Sequence, residues 1–278
     1  MFRIMTGAAM VREIASPRQL RHSAAHSKVR KTTLLSQPTQ VTKEIFERRY
    51  PNASVIFLAG SIVRGESTPF SDLDLIVIFD KLPAAYRESF NFQGFPIEAF
   101  VHDPETLNYF ISEVDRPSGI PSLAQMILEG IEVPKPNDLS RSLKHLATSV
   151  MQLGPPGLKE EEVRKLRYDI TNLVDDIRQP RSRDELVASG TELYETLANY
   201  YLRTNMLWSA KGKSIPRILR QANADLYLRY AASFDELFAD GRSESVVALV
   251  EEILRPCGGF LFDGHRLDAP ADYRKPLV

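Results

Sequence analysis

Val55-Ile56-Phe57-Leu58-Ala59-Gly60-Ser61-Ile62-Val63-Arg64-Gly65, followed shortly by Ser71-Asp72-Leu73-Asp74-Leu75-Ile76-Val77-Ile78, decides how this chain reads. Val55 to Leu58 is a continuous β-rich apolar run, which predicts a strand covered on both faces. Gly60-Ser61 ends that strand and opens a turn or a helix. Leu73–Phe79 is a second run of the same kind. Asp72 and Asp74 stand at i and i+2 at its entry, so on an extended chain both carboxylates project from one face. Two carboxylates that close repel each other, and one would ordinarily take a proton. A divalent cation removes the conflict. Magnesium prefers one or two carboxylates plus substrate phosphates. Two such ions about 3.5–4 Å apart clamp the attacking and leaving oxygens in phosphoryl transfer.

The neighbouring residues fit that chemistry. Gly60 and Gly65 let the backbone approach a ligand closely, and a strand-to-helix turn presents N–H groups to phosphate. The Ser61 hydroxyl adds a hydrogen bond, and Arg64 adds charge. Phe95–Val101 predicts a third strand in which Ile97 and Ala99 alternate with Glu98 and Phe100. Glu98 on that strand is a candidate third acid on the carboxylate face. Each feature alone also reads as ordinary structure, since Asp-x-Asp before a strand is common turn chemistry. The joint pattern is hard to obtain from packing alone.

Gly60-Ser61-Ile62-Val63-Arg64-Gly65 with Ser71-Asp72-Leu73-Asp74-Leu75 resembles the signature of the DNA-polymerase-β-like nucleotidyltransferases. The sheet-then-helices layout is similar to the bacterial aminoglycoside and lincosamide nucleotidyltransferases within that superfamily. The resemblance implies an NTP donor, magnesium (two ions), and transfer of a nucleoside monophosphate to an acceptor hydroxyl with release of pyrophosphate. It implies Asp72 and Asp74 as the metal-binding pair and Glu98 as the third carboxylate. Gly60 and Ser61 match the triphosphate turn, with Arg64 and Ser71 assigned to nucleotide binding. Glu rather than Asp at position 98 argues against a polymerase.

The remainder predicts an α+β chain: a small mixed sheet domain over 41–136, then an α-helical bundle over 137–278. Val41–Tyr50 predicts a helix with Thr42 as its N-cap, and Lys81–Glu88 a linking helix. Beyond Val133-Pro134-Lys135-Pro136 the chain reads as helices and almost no strands. Glu160–Ile177 is amphipathic, and Arg183–Asn205, Ile215–Ala231 and Glu244–Leu254 follow. Residues 1–40 carry seven basic residues and the single acid Glu13. A basic, flexible extension is expected there: a transit-type presequence, an arm for a polyanion, or a segment without function.

Lys213 lies in Trp208-Ser209-Ala210-Lys211-Gly212-Lys213, which resembles the lysine-bearing segment that related transferases use on the nucleotide phosphates. Spacing does not separate Lys213 from Lys211, and a solvated basic loop is the plain alternative. Asp169 and Asp176 share a helical face, and Glu192 and Glu195 sit on the next helix. Such acids suit a cationic acceptor, and Asp176 is the candidate base or acceptor contact. Pairing with Arg164, Lys165 and Arg167 is the alternative.

Composition narrows the classes. The 278 residues carry 35 Lys+Arg against 36 Asp+Glu, a net charge of −1, which argues against a nucleic-acid-coating surface. Cys257 is the single cysteine, so no intramolecular disulfide forms. No apolar run reaches the roughly 18–20 residues of a membrane span, and a cytoplasmic protein is expected. The expected acceptor is a small molecule and the expected moiety AMP. Rivals are a protein-AMPylating regulator of toxin–antitoxin type and a non-catalytic nucleotide-binding module. A homodimer through the helical half stays open, since many relatives pair there.

Overall fold

The computed structural model describes residues 35–270 and 272–275. The basic segment up to residue 34 lies outside the described residues. The fold is α+β, a five-stranded mixed sheet followed by a helical region. The strands are β1 (Val55–Ala59), β2 (Leu73–Ile78), β3 (Tyr86–Phe92), β4 (Phe95–His102) and β5 (Ile131–Val133), in the order β3-β4-β2-β1-β5. β2 and β4 run parallel, and the other three pairs are antiparallel. All five residues of β1 are buried, which is why that stretch is a continuous apolar run rather than an alternating one.

β3 overturns the expectation of a helix at Lys81–Glu88. The chain turns back at Gln93-Gly94, both at positive φ (49° and 82°), a two-residue hairpin connection that matches the twist of the strands. From Arg87 to Phe92 exposed and half-buried residues alternate, as on an edge strand. The short β5, which the sequence did not predict, pairs with β1 through Ile131, Glu132 and Val133.

One sheet face packs on a helix, α1, over residues 35–48. Val41 and Ile45 pack with Ile56, Leu75, Val77 and Val101 in one buried cluster. Thr42 does not cap this helix. It lies inside it, fully buried, with its hydroxyl donating to the Pro38 carbonyl at 2.8 Å. Past the helix end, Arg49 donates to Glu88 on β3 at 2.5 Å, and the Tyr50 hydroxyl donates to the same carboxylate at 2.6 Å. The Arg49 guanidinium also stacks 4.0 Å from the Phe90 ring centroid, tying the edge strand down. These partners hold the Glu88 carboxyl below its ordinary value, the Arg49 bond contributing most.

Two compact units divide the described chain. The first holds residues up to Pro104 together with Glu129–Arg141, and the second holds Glu105–Leu128 and everything from Ser142. After α2 (Ser61–Arg64), the helices are α3 (Pro104–Tyr109), α4 (Arg116–Ser118), α5 (Ser122–Glu129), α6 (Asp138–Leu153), α7 (Glu160–Arg178) and α8 (Arg183–Thr204). Then come α9 (Ile215–Ala222), α10 (Ala224–Asp240) and α11 (Glu244–Leu254). Ile215–Ala231 is therefore not one helix. Asn223 breaks it, because its side chain accepts from the Leu226 N–H at 3.0 Å and caps α10. Ile170, Leu193, Leu197, Tyr200, Tyr230 and Phe234 build the core of the second unit. Among the described residues no helix is long and apolar enough to cross a membrane.

His102 closes β4 opposite Ile78 and is 4% exposed. Burial pushes its imidazole below the ordinary 6.5, against the opposing pull of the Asp103 carboxylate. The unfolded chain therefore takes up the proton first as pH falls through about 6.5, and this group lowers stability only below that value. Calorimetric unfolding between about pH 7.5 and 5.5 should show the melting temperature falling below pH 6.5, with a smaller fall in His102→Gln. Superimposable profiles would rule His102 out as the titrating group.

Candidate metal centre

The centre is built on the sheet face opposite α1. Side chains alternate along each strand, so with Leu73, Leu75 and Val77 facing α1, Asp74 points the other way. The same parity carries Asp72 to that side. In the parallel pairing of β2 with β4, Asp74 stands directly beside Glu98, as Leu73 does beside Ile97 and Leu75 beside Ala99. On its other flank Asp74 is paired with Ala59, the last residue of β1. Asp72, Asp74 and Glu98 thereby bring one carboxylate oxygen each within 4.8 Å of one another, all three residues half-buried.

Gly60 completes the cradle. Its backbone sits at φ 79°, ψ −160°, a region essentially confined to glycine. A Cβ there would fall 1.8 Å from Asp74 Oδ2. The turn thus lies directly against the carboxylate, and Ser61 opens α2 beside it. The turn that leads into Asp72 is also pinned: Thr68 N–H donates to Ser71 Oγ at 2.8 Å, and Ser71 N–H donates to the Thr68 carbonyl at 3.0 Å. Arg64 lies in the same unit, where it pairs with Glu66 at 2.8 Å and with Glu129 at 3.1 Å.

Three carboxylates at this spacing repel by a few kcal/mol per pair at an effective dielectric constant of about 20. Arg87, on β3, offsets part of that by forming an ion pair with Glu98. The donor set is all oxygen, hard and anionic, without histidine or cysteine. It fits magnesium, manganese or calcium and not a soft transition metal.

Residues 40–116 match the family model described as a nucleotidyltransferase domain. That segment contains Gly60, Ser61, Asp72, Asp74 and Glu98, and the match supports nucleotidyl transfer, hence a transferase, as its general chemistry. Among solved structures, a nucleotidyltransferase-like protein from Exiguobacterium sibiricum 255-15 aligns with a TM-score of 0.40 at 16% identity, over 78% of this chain and 74% of that one. No curated protein matches the chain.

Lys213 and Asp176 lie in the second compact unit. Lys213 is exposed in the turn Gly212–Ser214, as is Lys211 just before it. Asp176 is exposed on α7 and accepts from Ser189 Oγ at 3.5 Å. Asp169 is paired with Lys165 at 2.5 Å. Arg167 is used on the carbonyls of Gly258 and Gly259, at 2.8 and 2.7 Å. Glu192 and Glu195, with Asp184, line an open groove of about 750 Å³ along α8. The residue missed from the sequence is Arg87. Reading β3 as a helix hid it, although the Gln93-Gly94 turn and the aromatic alternation of Phe90 and Phe92 carried the signal.

Gly60→Ala should lower stability by about 1–3 kcal/mol through backbone strain. By displacing Asp74 it should weaken Mn²⁺ binding about tenfold or more. Denaturant unfolding and a manganese titration check the two effects separately. A variant that keeps wild-type affinity would mean the close approach of turn and carboxylate is not needed.

Proposed function

We propose that this protein is a magnesium-dependent nucleotidyltransferase that moves a nucleoside monophosphate, AMP, from an NTP to a hydroxyl of a small-molecule acceptor, releasing pyrophosphate. The observation that carries this reading is the cluster of Asp72, Asp74 and Glu98 against the Gly60-Ser61 turn, inside the segment that matches a nucleotidyltransferase domain. In it, Asp72, Asp74 and Glu98 hold the divalent metal. When bound, the metal supplies charge neutralisation and orientation for the triphosphate.

The chain's own groups do the rest. Gly60, lacking a side chain, lets the turn lie directly against the Asp74 carboxylate, and the Ser61 hydroxyl donates to a phosphate oxygen. The acceptor oxygen forms a bond to the α-phosphorus as the bond from that phosphorus to the bridging oxygen breaks. Pyrophosphate leaves on the far side, and the acceptor proton passes to a carboxylate base. Rate comes chiefly from charges fixed in advance on strands that do not reorganise.

Calorimetry with the four NTPs, with and without Mg²⁺, tests the reading on wild type and Asp74→Asn. Magnesium-dependent binding strongest for ATP is expected, lost in Asp74→Asn while its circular dichroism stays that of wild type. With an acceptor present, pyrophosphate release should fall about 100-fold or more in the variant. Retained release would overturn the assignment of Asp74. Binding without release toward any small hydroxyl acceptor would overturn the small-molecule reading.

A further inference from the structure

Arg87 enters the candidate centre from the edge strand. β3 and β4 pair with Ser89 opposite Glu98 and Arg87 opposite Phe100, so Arg87 shares the face of Glu98 one pair further along. Its guanidinium reaches diagonally to the Glu98 carboxylate and forms an ion pair with it. The same guanidinium lies 4.9 Å from the centroid of the Phe100 ring. It therefore has two attachments, and only one of them is a group that a metal would need. The Arg87 side chain is 58% exposed and that of Glu98 22%, so the pair is solvent-screened and holds little folding energy. A contact of that kind is readily exchanged. Letting go of Glu98 leaves the guanidinium on Phe100, next to the carboxylates, with its charge available to an anion.

We propose that Arg87 is a positioning residue that competes with the divalent metal for Glu98: it serves as the counter-ion of Glu98 in the metal-free protein and must release that carboxylate for the centre to load. This rests on the reading of Asp72, Asp74 and Glu98 as a metal centre and adds its regulation. Metal affinity is held down in the absence of nucleotide. A triphosphate, by offering Arg87 an alternative anion, raises it.

Manganese titration of the nucleotide-free full chain, followed by electron paramagnetic resonance of free Mn²⁺, tests the proposal without relying on turnover. The proteins are wild type, Arg87→Met, Arg87→Lys, Glu98→Gln and the double variant Arg87→Met/Glu98→Gln. Methionine keeps apolar packing over Phe100 and removes the charge. Arg87→Met should bind Mn²⁺ about three- to fivefold more tightly than wild type, the gain expected from removing an exposed competing ion pair. Arg87→Lys should stay near wild type. The gain should shrink as salt rises from about 0.05 to 0.5 M. It should vanish in the Glu98→Gln background, where the double variant and Glu98→Gln bind alike. Equal or weaker binding by Arg87→Met overturns the proposal while leaving the metal centre standing. A gain that persists without Glu98 also overturns it, by showing a general field effect. No binding by wild type or any variant overturns the metal centre itself, and the proposal with it.

Discussion

Everything at the candidate centre depends on the parallel register of β2 against β4. Asp74 faces Glu98 across that pair because Leu73, Leu75 and Val77 face Ile97, Ala99 and Val101. The apolar residues on one face thus set the positions of the carboxylates on the other. A slip of one residue would turn Glu98 toward α1 and Ala99 toward the acids, moving every side chain of β4 to the wrong face. The buried face resists that slip, since Leu75, Val77, Ala99 and Val101 are fully buried. The parallel pairing in turn requires the chain to cross from the end of β2 back to the start of β4. β3 and the Gln93-Gly94 turn accomplish the return by adding a strand at the sheet edge. The hairpin that makes the geometry possible also delivers Arg87 to Glu98.

The centre works against the local stability of the fold. It gathers three carboxylates within 4.8 Å and holds Gly60 at positive φ against one of them. Neither arrangement helps the chain fold, and both are retained because the sheet beneath over-determines them. β1 and β2 pair along their whole length, from Val55 with Ile78 to Ala59 with Asp74. The last of those pairs fixes where the turn at Gly60 must begin. The repulsion persists at this end of the sheet because apolar burial along both strands offsets it.

The parts of this arrangement that were legible in the sequence are the ones with strong local patterns. β1 and β2 are continuous apolar runs, β4 alternates, and the Asp-x-Asp pair stands at a strand entry where its parity can be counted. β3 was not legible because an edge strand is half-exposed. Its Arg87, Glu88 and Ser89 look like a polar linker until the partner strand is known. β5 has three residues, too few for any period. The division of α9 from α10 rests on one side chain, Asn223, whose capping bond competes with a helical pattern that would otherwise run through it. Thr42 shows the reverse error. A threonine before an apolar period suggests a cap, yet its hydroxyl can satisfy itself on the Pro38 carbonyl inside the helix.

Acids on strands and acids on helices carry different information, and this chain shows why. On a helix a carboxylate has neighbours three and four residues away that can carry the opposite charge. Lys165 with Asp169 and Arg178 with Asp175 are pairs of that kind, exposed and weakly stabilising. The acids of α7 and α8 are therefore ambiguous from sequence, since ordinary helix surfaces are made of the same residues. On adjacent strands the nearest side chains on one face are two residues along or directly across. When those positions also hold acids, as at Asp72, Asp74 and Glu98, the nearest side chains on the face add to the repulsion instead of relieving it. The cation then comes from the adjoining edge strand, as Arg87 on β3 does, or from solution as a metal ion. The strand geometry leaves both sources facing one carboxylate, Glu98, and the proposed competition turns on that.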